Sequence, residues 1–474
     1  MTETIDLKNI KKIHFTGIKG VGMTALALCS QDLGMTVTGS DIEESFVTDK
    51  ILSKRGVAWK KGFSKEHVDK ETDLLIFTGA HAGEANIEVL TAVRLAIPVL
   101  SHAQALGIFA AGKYQIATCG VGGKSTTASI LATVFDKSAK HPSFAVGVGN
   151  IEPLGVPGKY DSLGKDFILE ADEYFASTVD RKPRFSYLNP KVVILTNLEY
   201  DHPDVYENVE AVFRAFASFV KKIPANGLLI ACWDNLNVRR FLKRLSGVPY
   251  TTYGKTKGAD WVLENIKDFS FSLKAKDKTI GPIKLQVPGE FNKLNASAAA
   301  IAADFSGIDT YDIKIGIQSY LGTKRRLEKI ADISGIDLYD DYAHHPTEIN
   351  ATLKAVRSLF PKRRIIVIFQ PHTYSRTRKL LEEFSSCFSF ADIVIITDIY
   401  ASAREAKDCQ INSQIVVNKI IAKGKKIVKY LFDIQSVTRF LNENARKGDI
   451  IITMGAGDIF SWHDKIKAIL KNRQ

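Results

Sequence analysis

Short apolar runs that end in polar residues recur along the whole chain and alternate with stretches of helical periodicity. Residues 1–113 contain four such runs, which read IHFT, MTVTGSD, LLIFTGA and IPVLS, and the stretch MTALALCSQDL follows the first of them. Strands that alternate with helices predict a parallel sheet with helices on its faces. The pattern therefore predicts a Rossmann-like α/β domain over residues 1–113.

A second series of strands begins at residue 114 with YQIATC and continues with DFILEAD, KVVILTN and GLLIACWD. These runs are apolar almost throughout, as expected of parallel strands that are covered on both faces. Segment 254–290 differs, because it is rich in lysine and alternates in SFSLKAK, which predicts antiparallel strands at one side of the sheet. A helix is predicted at NKLNASAAAIAADF, and this central domain is predicted to span residues 114–322.

The alternation starts again near residue 323 and runs to the end of the chain. The runs RIIVIFQ, DIVIITDIY, KIVKYLF and DIIITMGAGD read as strands, with RTRKLLEEFSSCF, QIVVNKIIAK and VTRFLNENARK as the helices between them. This predicts a second Rossmann-like domain over residues 323–474 and, for the whole chain, three α/β domains. Ligands of such sheets bind beyond the carboxyl ends of the strands, which is where most polar clusters of this sequence lie.

Composition narrows the class of protein. The chain has 474 residues, 45% of them hydrophobic and 24% charged, as in ordinary soluble globular proteins, and no window of 18 apolar residues predicts a membrane span. The net charge of +12 favours an anionic partner, and the scattered lysines favour a phosphorylated small substrate over nucleic acid. The five cysteines form no Cys-x-x-Cys pair and indicate a reducing compartment, the cytoplasm; they are Cys29, Cys119, Cys232, Cys387 and Cys409.

The stretch CGVGGKSTTASI, residues 119–130, follows a strand and opens a helix. Its glycines leave room for backbone N–H groups to face an anion, and the amino end of the helix faces the same point. Lys124 adds a mobile positive charge, and the hydroxyl of Ser125 is a ligand for Mg²⁺. The stretch therefore predicts ATP binding with Mg²⁺ and a P-loop ATPase-like central domain. The predicted ATP-binding residues of this loop are Gly120, Val121, Gly122, Gly123, Lys124, Ser125 and Thr126.

Two further clusters belong to the same domain. Glu170 ends the strand in DFILEADEY and His202 follows the strand in TNLEYDH, so both are predicted to bind Mg²⁺ together with Ser125. Asn292 and Asn295 are three residues apart in FNKLNAS and share one face of the first helical turn. They either cap that helix or contact the edge of an adenine ring.

The third domain opens with three polar clusters. GTKRRLE lies at the hinge between the second and third domains and contains Arg325 and Arg326. An arginine of this pair, for which we take Arg326, is predicted to reach the γ-phosphate when domains close. DLYDDYAHHPTE follows a strand, and its Thr347 is predicted to cap the helix EINATLKAV. FQPHTYSRTR follows another strand. The candidate site residues of the last two clusters are Asp340, Tyr342, His344, His345, His372, Tyr374 and Arg376.

The first glycine-rich turn, GIKGVG, does not match the dinucleotide fingerprint, because Lys19 stands where the second glycine belongs. Gly17, Gly20 and Gly22 instead form a different spacing. Asp41 follows the second strand, where an acid can hold a ribose, and Lys19 suits a pyrophosphate. The turn therefore disfavours NAD and favours another diphosphate.

These motifs, in this order and over essentially the full length, resemble the Mur ligase family. The segments that carry the resemblance are GIKGVGM with GSD, CGVGGKSTT, EADE, TNLEYDH, FNKLNAS, GTKRRLE, DDYAHHPTE, FQPHTYSRT and GAGDI. The pair formed by DDYAHHPTE and QPHTYSRT is the most specific within the family. The resemblance implies three domains, which bind a UDP-sugar, ATP and the amino acid in that order.

The resemblance also implies roles for particular residues. Lys124 would hold phosphates, Asn292 and Asn295 would face the adenine, and Asp340 would face the ribose of ATP. The implied catalytic residues are Lys124, His202, Arg326, His344 and His372. The implied substrate-binding residues are Gly17, Lys19, Gly20, Val21, Gly22, Ser40, Asp41, Tyr342, His345, His372, Tyr374 and Arg376.

The implied reaction joins L-alanine to the carboxylate of UDP-N-acetylmuramate through an acyl phosphate made with ATP, in peptidoglycan precursor synthesis. The base that takes a proton from the amine stays open among three of the histidines named above, His202, His344 and His372. We expect a monomer or a weak homodimer, with no nucleic-acid or membrane partner. Two alternatives remain: a related ligase with another amino acid or acceptor, and a non-catalytic nucleotide-binding regulator, which the substituted loop residues Val121 and Gly122 leave open.

Overall fold

The computed structural model describes residues 5–202, 204–266, 269–401, 405, 408, 410–424 and 427–472. Cys409, one of the five cysteines considered above, lies outside these residues. The other four cysteines are buried and are free thiols. Within the described residues, no helix combines the length and the apolar character that crossing a membrane requires.

The chain forms two compact units. The first comprises the described parts of Met1–Tyr200, Val205–Val287 and Phe291–Lys324, and the second those of Asp201–Asp204, Pro288–Glu290 and Arg325–Gln474. The first unit contains two large sheets and the second contains one. Each strand that the sequence predicts by an apolar run is present.

The N-terminal sheet has five parallel strands in the order β3-β2-β1-β4-β5. Thr16, which ends β1, lies beside Ser40 near the end of β2, so the loops after these strands share one edge. The elements are β1 Lys12–Thr16, α1 Val21–Asp32, β2 Thr36–Asp41, α2 Asp49–Lys54, β3 Ala58–Lys61, β4 Leu74–Phe77, α3 Ile87–Arg94, β5 Val99–Ser101 and α4 His102–Phe109.

The central sheet has ten strands in the order β16-β15-β14-β13-β12-β11-β6-β10-β7-β9, and the short strands β8 and β17 pair in a separate two-stranded sheet. Its far side, β14 to β16, is antiparallel, as the alternating lysine-rich segment predicts. The elements are β6 Tyr114–Cys119, α5 Lys124–Lys137, β7 Ser143–Ala145, β8 Ile151–Glu152, β9 Gly158–Lys159, β10 Asp166–Glu170, β11 Val192–Leu195, α6 Val209–Val220, β12 Leu228–Cys232, α7 Leu236–Leu242, β13 Tyr250–Gly254, β14 Trp261–Asn265, β15 Ser270–Lys274, β16 Thr279–Lys284, α8 Glu290–Phe305, α9 Thr310–Ser319 and β17 Gly322–Thr323.

The sheet of the second unit has six strands in the order β18-β19-β23-β20-β21-β22, parallel except for β18. Apolar side chains from both of its faces form two separate clusters. The elements are β18 Glu328–Ile333, β19 Ile336–Asp341, α10 Pro346–Leu359, β20 Ile365–Phe369, α11 Tyr374–Lys379, α12 Leu381–Ser386, β21 Ile393–Ile396, α13 Ser413–Ala422, β22 Val428–Tyr430, α14 Ile434–Asn444, β23 Ile450–Met454 and α15 His463–Lys471.

Two local predictions are wrong. Thr347 does not cap α10: the helix begins two residues earlier than predicted from that cap, with His345 as the N-cap and Pro346 in its first turn, where a missing N–H costs nothing. The single helix predicted at RTRKLLEEFSSCF is two short helices, α11 and α12, because Leu380 leaves the helical conformation between them.

Candidate active site

The loop between β6 and α5 is a tight turn that only glycine permits at two positions. Gly120 has a φ of +120° and Gly123 a φ of +85°. A Cβ atom on Gly120 would collide with Oγ1 of Thr196 and with the backbone of Asn197. The loop therefore keeps its backbone close to the end of β11, with the amino end of α5 beside it.

Side chains after β11 hold this loop in place. The N–H of Gly122 donates to Oδ1 of Asn197 at 2.9 Å, and Nδ2 of Asn197 donates to the carbonyl oxygen of Gly122 at 2.8 Å. Oγ1 of Thr196 donates to the same carbonyl oxygen at 2.7 Å. Sequence reasoning assigns these residues no such role, because the contact joins positions about seventy residues apart.

Lys124, the first residue of α5, pairs with Glu173. Its Nζ lies 3.0 Å from Oε2 and 3.2 Å from Oε1 of Glu173. Burial alone would lower the pKa of Lys124, but the carboxylates of Glu173, Asp172 and Glu170 outweigh it and raise this pKa above its ordinary value. Lys124 is therefore a cation at neutral pH. Glu173 is absent from the predicted site, although it belongs to the EADE stretch.

Ser125 and Glu170 are the predicted metal ligands of the first unit. Glu170 ends β10 and pairs in register with Thr118 of β6, which places it at the strand edge from which the loop rises. Its Oε2 accepts the N–H of Gly147 at 3.1 Å. Ser125 lies in the first turn of α5 and is buried. A hydroxyl and a carboxylate at one edge are oxygen donors of the kind that Mg²⁺ prefers, so these residues fit the ion.

Asn292 and Asn295 lie on α8, next to the loop. Asn292 is the third residue of that helix, so the capping interpretation is wrong for it. Nδ2 of Asn295 donates to Oδ1 of Asn292 at 3.2 Å. A Cβ atom on Gly123 would lie 2.6 Å from Oδ1 of Asn295, so this amide contacts the loop itself.

The glycine turn after β1 is fastened by the end of β2. The N–H groups of Gly17 and Ile18 donate to the carbonyl oxygen of Ser40 at 2.9 and 3.1 Å. The carboxylate of Asp41 accepts the N–H groups of Lys19 and Ile42 at 2.7 and 2.8 Å. The turn therefore places Gly20, Val21 and Gly22 at the amino end of α1, where backbone N–H groups can bind an anion.

Two residues predicted to bind substrate in this domain point elsewhere. The Lys19 side chain is 1% exposed, and its Nζ donates to the carbonyl oxygens of Ile42 and Glu44 at 3.1 and 2.5 Å. The hydroxyl of Ser40 donates to the buried carboxylate of Glu88 at 2.5 Å. A buried polar group needs such partners, so both side chains form hydrogen bonds inside the domain in this structure.

His102 lies at the glycine turn and is absent from the predicted site. It opens α4, and a Cβ atom on Gly22 would lie 2.7 Å from its Nε2, so the ring packs directly against the amino end of α1. Burial and the nearby Arg184 lower the pKa of His102 to about 4, which leaves it neutral at pH 7. A lone histidine after a strand carries no sequence pattern that would have revealed this position.

The second unit gathers the predicted polar residues after β19 and β20. Nε of Arg376 donates to Oδ1 of Asp201 at 2.9 Å, with both side chains about 5% exposed or less. Nη1 of Arg376 lies 3.3 Å from Nδ1 of His372. The ring of His344 meets those of Tyr342 and His372 edge-on, with centroids 5.4 and 6.0 Å apart. These residues form one cluster, which joins side chains from two separate polar stretches of the sequence to Asp201.

Tautomers within this cluster follow from its hydrogen bonds. Nδ1 of His344 lies 3.0 Å from the carbonyl oxygen of Tyr342 and therefore carries the proton, which leaves a lone pair on Nε2. His372 has the opposite tautomer, because Arg376 only donates and faces its Nδ1. Nδ1 of His345 accepts the N–H of Thr347 at 3.3 Å, and its buried Nε2 has no hydrogen-bond partner among the described residues.

Charges around the cluster set its protonation. Burial would raise the pKa of Asp201, but His202 and Arg376 hold it well below its usual range. Burial and Arg376 lower the pKa of His344 to about 4, against the opposing effect of Glu348. At pH 7 the cluster therefore contains a neutral His344 beside an ionised Asp201.

Asp340 and Arg325 form an internal network. Arg325 donates to Oδ2 of Asp340 at 3.0 Å and to the carbonyl oxygens of Gly457 and Gly455 at 3.2 and 2.5 Å. Asp340 is fully buried and also accepts the hydroxyl of Thr453 at 2.7 Å. A ribose would reach Asp340, its predicted partner, only if this network opened.

Arg326 differs from its neighbour. Its side chain is 24% exposed and lies 3.8 Å from Oε1 of Glu348. Its guanidinium also lies over the ring of Tyr342, 5.3 Å from the centroid. The guanidinium of Arg325 lies over the same ring, 5.0 Å from the centroid, but Arg325 is buried and bound to Asp340, so Arg326 is the more accessible of the two arginines.

Family models match three successive segments of the chain. The model of the Mur ligase family, catalytic domain, matches residues 12–114, that of the Mur ligase middle domain matches residues 119–303, and that of the Mur ligase, glutamate ligase domain, matches residues 325–457. These segments contain the glycine turn, the loop of Lys124 and the histidine cluster respectively.

Individual relatives match over nearly the full length. The UDP-N-acetylmuramate–L-alanine ligase of Acetivibrio thermocellus is 39% identical over 463 residues, which cover 96% of this chain and 95% of the relative. The ligase of the same name from Caldanaerobacter subterraneus subsp. tengcongensis is 36% identical over 468 residues, which cover 97% and 98%. A crystal structure of UDP-N-acetylmuramate-alanine ligase from Thermotoga maritima shares the fold, with a TM-score of 0.78, 24% identity and coverage of 98% and 100%.

Proposed function

The chain belongs to the Mur ligase family, and from that premise we propose that it is an ATP-dependent ligase that joins L-alanine to the carboxylate of UDP-N-acetylmuramate. The observation that carries the proposal is the match over nearly the full length to several ligases of this one activity, at 36–39% identity. The product is a precursor of peptidoglycan. We propose the cytoplasm as the compartment and a monomer or weak homodimer as the working form.

The chemistry explains why ATP is needed. A carboxylate resists attack by an amine because the leaving group would be oxide. Transfer of the γ-phosphoryl group to a carboxylate oxygen breaks its bond to the β-phosphate, releases ADP and gives an acyl phosphate. Inorganic phosphate leaves this intermediate when the amine attacks and the amide forms. The carboxylate and the γ-phosphate are both anions, so positive charge has to lie between them. Lys124 and the amino end of α5 supply it, and such preorganised charge lowers a barrier by several kcal/mol.

We propose Ser125 and Glu170 as Mg²⁺ ligands, on the strength of their oxygen donors at one strand edge. His202 stays a predicted third ligand and Arg326 a predicted contact of the γ-phosphate. When bound, Mg²⁺ would neutralise part of the phosphate charge. Asn292 and Asn295 lie beside the loop, which supports a place for them at the nucleotide, whereas Asp340 would first have to leave its internal network.

The UDP-sugar is proposed to bind at the glycine turn after β1. The amino end of α1 offers the N–H groups of Val21 and Gly22 to a diphosphate, and His102 packs against the same turn. Gly17 and Asp41 shape the turn rather than contact the ligand, because their polar atoms are occupied by backbone hydrogen bonds. Lys19 and Ser40 are not retained as direct ligands.

The cluster of the second unit is proposed to bind L-alanine. Arg376 is a buried cation suited to a carboxylate, and Tyr342, His345, His372 and Tyr374 stay predicted contacts of the amino acid. The base stays open among His202, His344 and His372: Nε2 of His344 carries a lone pair, but a pKa of about 4 makes His344 a weak acceptor of the ammonium proton.

Phosphate release tests the function. The enzyme should release phosphate from ATP only when UDP-N-acetylmuramate and L-alanine are both present. Equal hydrolysis without either substrate would contradict a ligase, and binding of both nucleotides without any turnover would favour the regulatory alternative. Competition among amino acids for radiolabelled UDP-N-acetylmuramate distinguishes a related ligase with a different amino acid.

Lys124→Ala tests the ATP site without changing the UDP-sugar site. This change should abolish turnover, because it removes the cation that faces the phosphates of ATP, while the affinity for the UDP-sugar, measured by calorimetry, should stay within about twofold of wild type. Turnover at a rate near that of wild type would refute the role of the loop.

A further inference from the structure

We propose that Glu173 is a positioning residue that holds the Lys124 ammonium in the nucleotide loop and competes with the phosphates of ATP for it. Glu173 would thereby weaken ATP binding and speed nucleotide release. The inference rests on the proposed function, since it assumes that Lys124 binds ATP. Glu173 has no role in the ligase reaction proposed above.

The contact is close and sheltered. Nζ of Lys124 faces both carboxylate oxygens of Glu173, at 3.0 and 3.2 Å, and the carbonyl oxygen of Val121 at 3.5 Å. The side chains are 12% and 3% exposed. In such surroundings the attraction between opposite charges is several times stronger than at the surface.

Glu173 differs from the other acids of its stretch in its partner. Asp172 pairs with Nη1 of Arg184 at 2.7 Å, and Glu170 accepts the N–H of Gly147. The backbone of Glu173 is fixed from behind, because the hydroxyl of the buried Tyr206 donates to its carbonyl oxygen at 2.6 Å. Movement of the flexible lysine is therefore the easier way to break the pair.

Competition follows from charge. The three donors of one ammonium cannot serve a bidentate carboxylate and the phosphates of ATP with full strength at once. When Lys124 turns to the phosphates, the buried Glu173 carboxylate loses its counter-ion, which is unfavourable and therefore opposes ATP binding. Removing its charge should therefore strengthen ATP binding. A metal ligand at this position would have the opposite effect, because its removal weakens binding of the ATP–Mg²⁺ complex.

Glu173→Gln in the full-length protein tests the sign of the effect. The dissociation constant of ATP with Mg²⁺, measured by calorimetry, should fall about tenfold, and the dissociation rate in stopped-flow displacement should fall by a similar factor. Asp172→Asn is the matched control, because its carboxylate pairs with Arg184, and it should change the constant less than about threefold. In a Lys124→Ala background, Glu173→Gln should have no effect on ATP affinity.

Several outcomes would overturn the proposal: weaker or unchanged ATP binding by Glu173→Gln, or an effect that persists without Lys124. Glu173→Asp, which keeps the charge but shortens its reach, provides a second variant if the first does not fold; it should tighten ATP binding by a smaller factor, and unchanged or weaker binding would equally refute the competition. If Lys124→Ala alone binds ATP as tightly as wild type, the nucleotide loop itself has been misassigned, which is a failure of the proposed function.

Discussion

His344 shows how the burial of one residue sets a pH dependence. Its side chain is 17% exposed, and burial together with Arg376 lowers its pKa to about 4 from the ordinary value of 6.5. The folded protein thus binds this proton less tightly than the unfolded chain does. The contribution of His344 to stability is therefore complete above pH 6.5 and is lost as the pH falls from 6.5 towards 4.

Replacing His344 by Gln should remove that dependence. Between pH 7 and pH 4.5 the free energy of unfolding, measured by urea denaturation, should fall less in His344→Gln than in wild type, by about 2 kcal/mol. His141→Gln is the control, because its side chain is 52% exposed, and it should keep the slope of wild type. A midpoint near pH 6.5 for His344 in an NMR titration would contradict the argument.

Residue types were easier to predict than the directions of their side chains. Lys124, Arg376 and the histidines lie at the strand ends where the apolar runs place them. Lys19 was predicted to face a pyrophosphate, yet the structure buries it against the carbonyl oxygens of a neighbouring segment. Sequence spacing fixes the edge of the sheet on which a residue lies, whereas contacts between distant segments decide where its charge points.

At the scale of elements, prediction succeeded where a pattern has one physical cause. Buried parallel strands have to be apolar on both faces, so β6, β10 and β11 can be predicted from their apolar runs. The first residues of helices were harder to predict: His345 is the N-cap of α10, although histidine is an uncommon N-cap. The break at Leu380 has no local sequence signature, and the pairing of Asn197 with Gly122 joins residues that are far apart in the sequence.

The turn between β6 and α5 allows a test at this scale. Gly120→Ala would place a Cβ atom against Thr196 and the backbone of Asn197, at a φ of +120° that a side chain disfavours. The loop should therefore shift, and the dissociation constant of ATP should rise at least about tenfold in calorimetry.

Gly112→Ala is the control that distinguishes the strain of a positive φ from the steric overlap of a Cβ atom. Gly112 also has a positive φ, +76°, but a Cβ atom there would meet nothing within 4 Å. This variant should lose about 1 kcal/mol of stability while its ATP affinity stays that of wild type. Equal ATP binding by both variants would show that the close fit of the loop does not matter for the nucleotide.

At the scale of the whole molecule, two of the three domains pack closely together. The sequence predicts separate domains over 1–113 and 114–322; each has its own sheet, and both sheets lie in one compact unit. Their packing is close: Gly158 of β9 lies against the backbone of Ala25 in α1, and Asp32 accepts the N–H of Tyr160 at 3.0 Å. A restart of the strand pattern marks a new sheet, but it does not show how tightly two sheets associate.

The two units divide the proposed ligand sites, and calorimetry can test that division. Lys124 and Ser125 belong to the first unit, whereas Tyr342 and Arg376 belong to the second, which has its own apolar clusters. Thermal unfolding should therefore show two transitions.

ATP with Mg²⁺ at a hundred times its dissociation constant should stabilise the first unit by about 2.7 kcal/mol, and L-alanine alone should raise only the transition temperature of the second unit. Hydrogen exchange measured by mass spectrometry assigns each transition to its residues. If L-alanine instead raised the transition assigned to the first unit, the amino-acid site would not be the histidine cluster, because a ligand stabilises the unit that binds it.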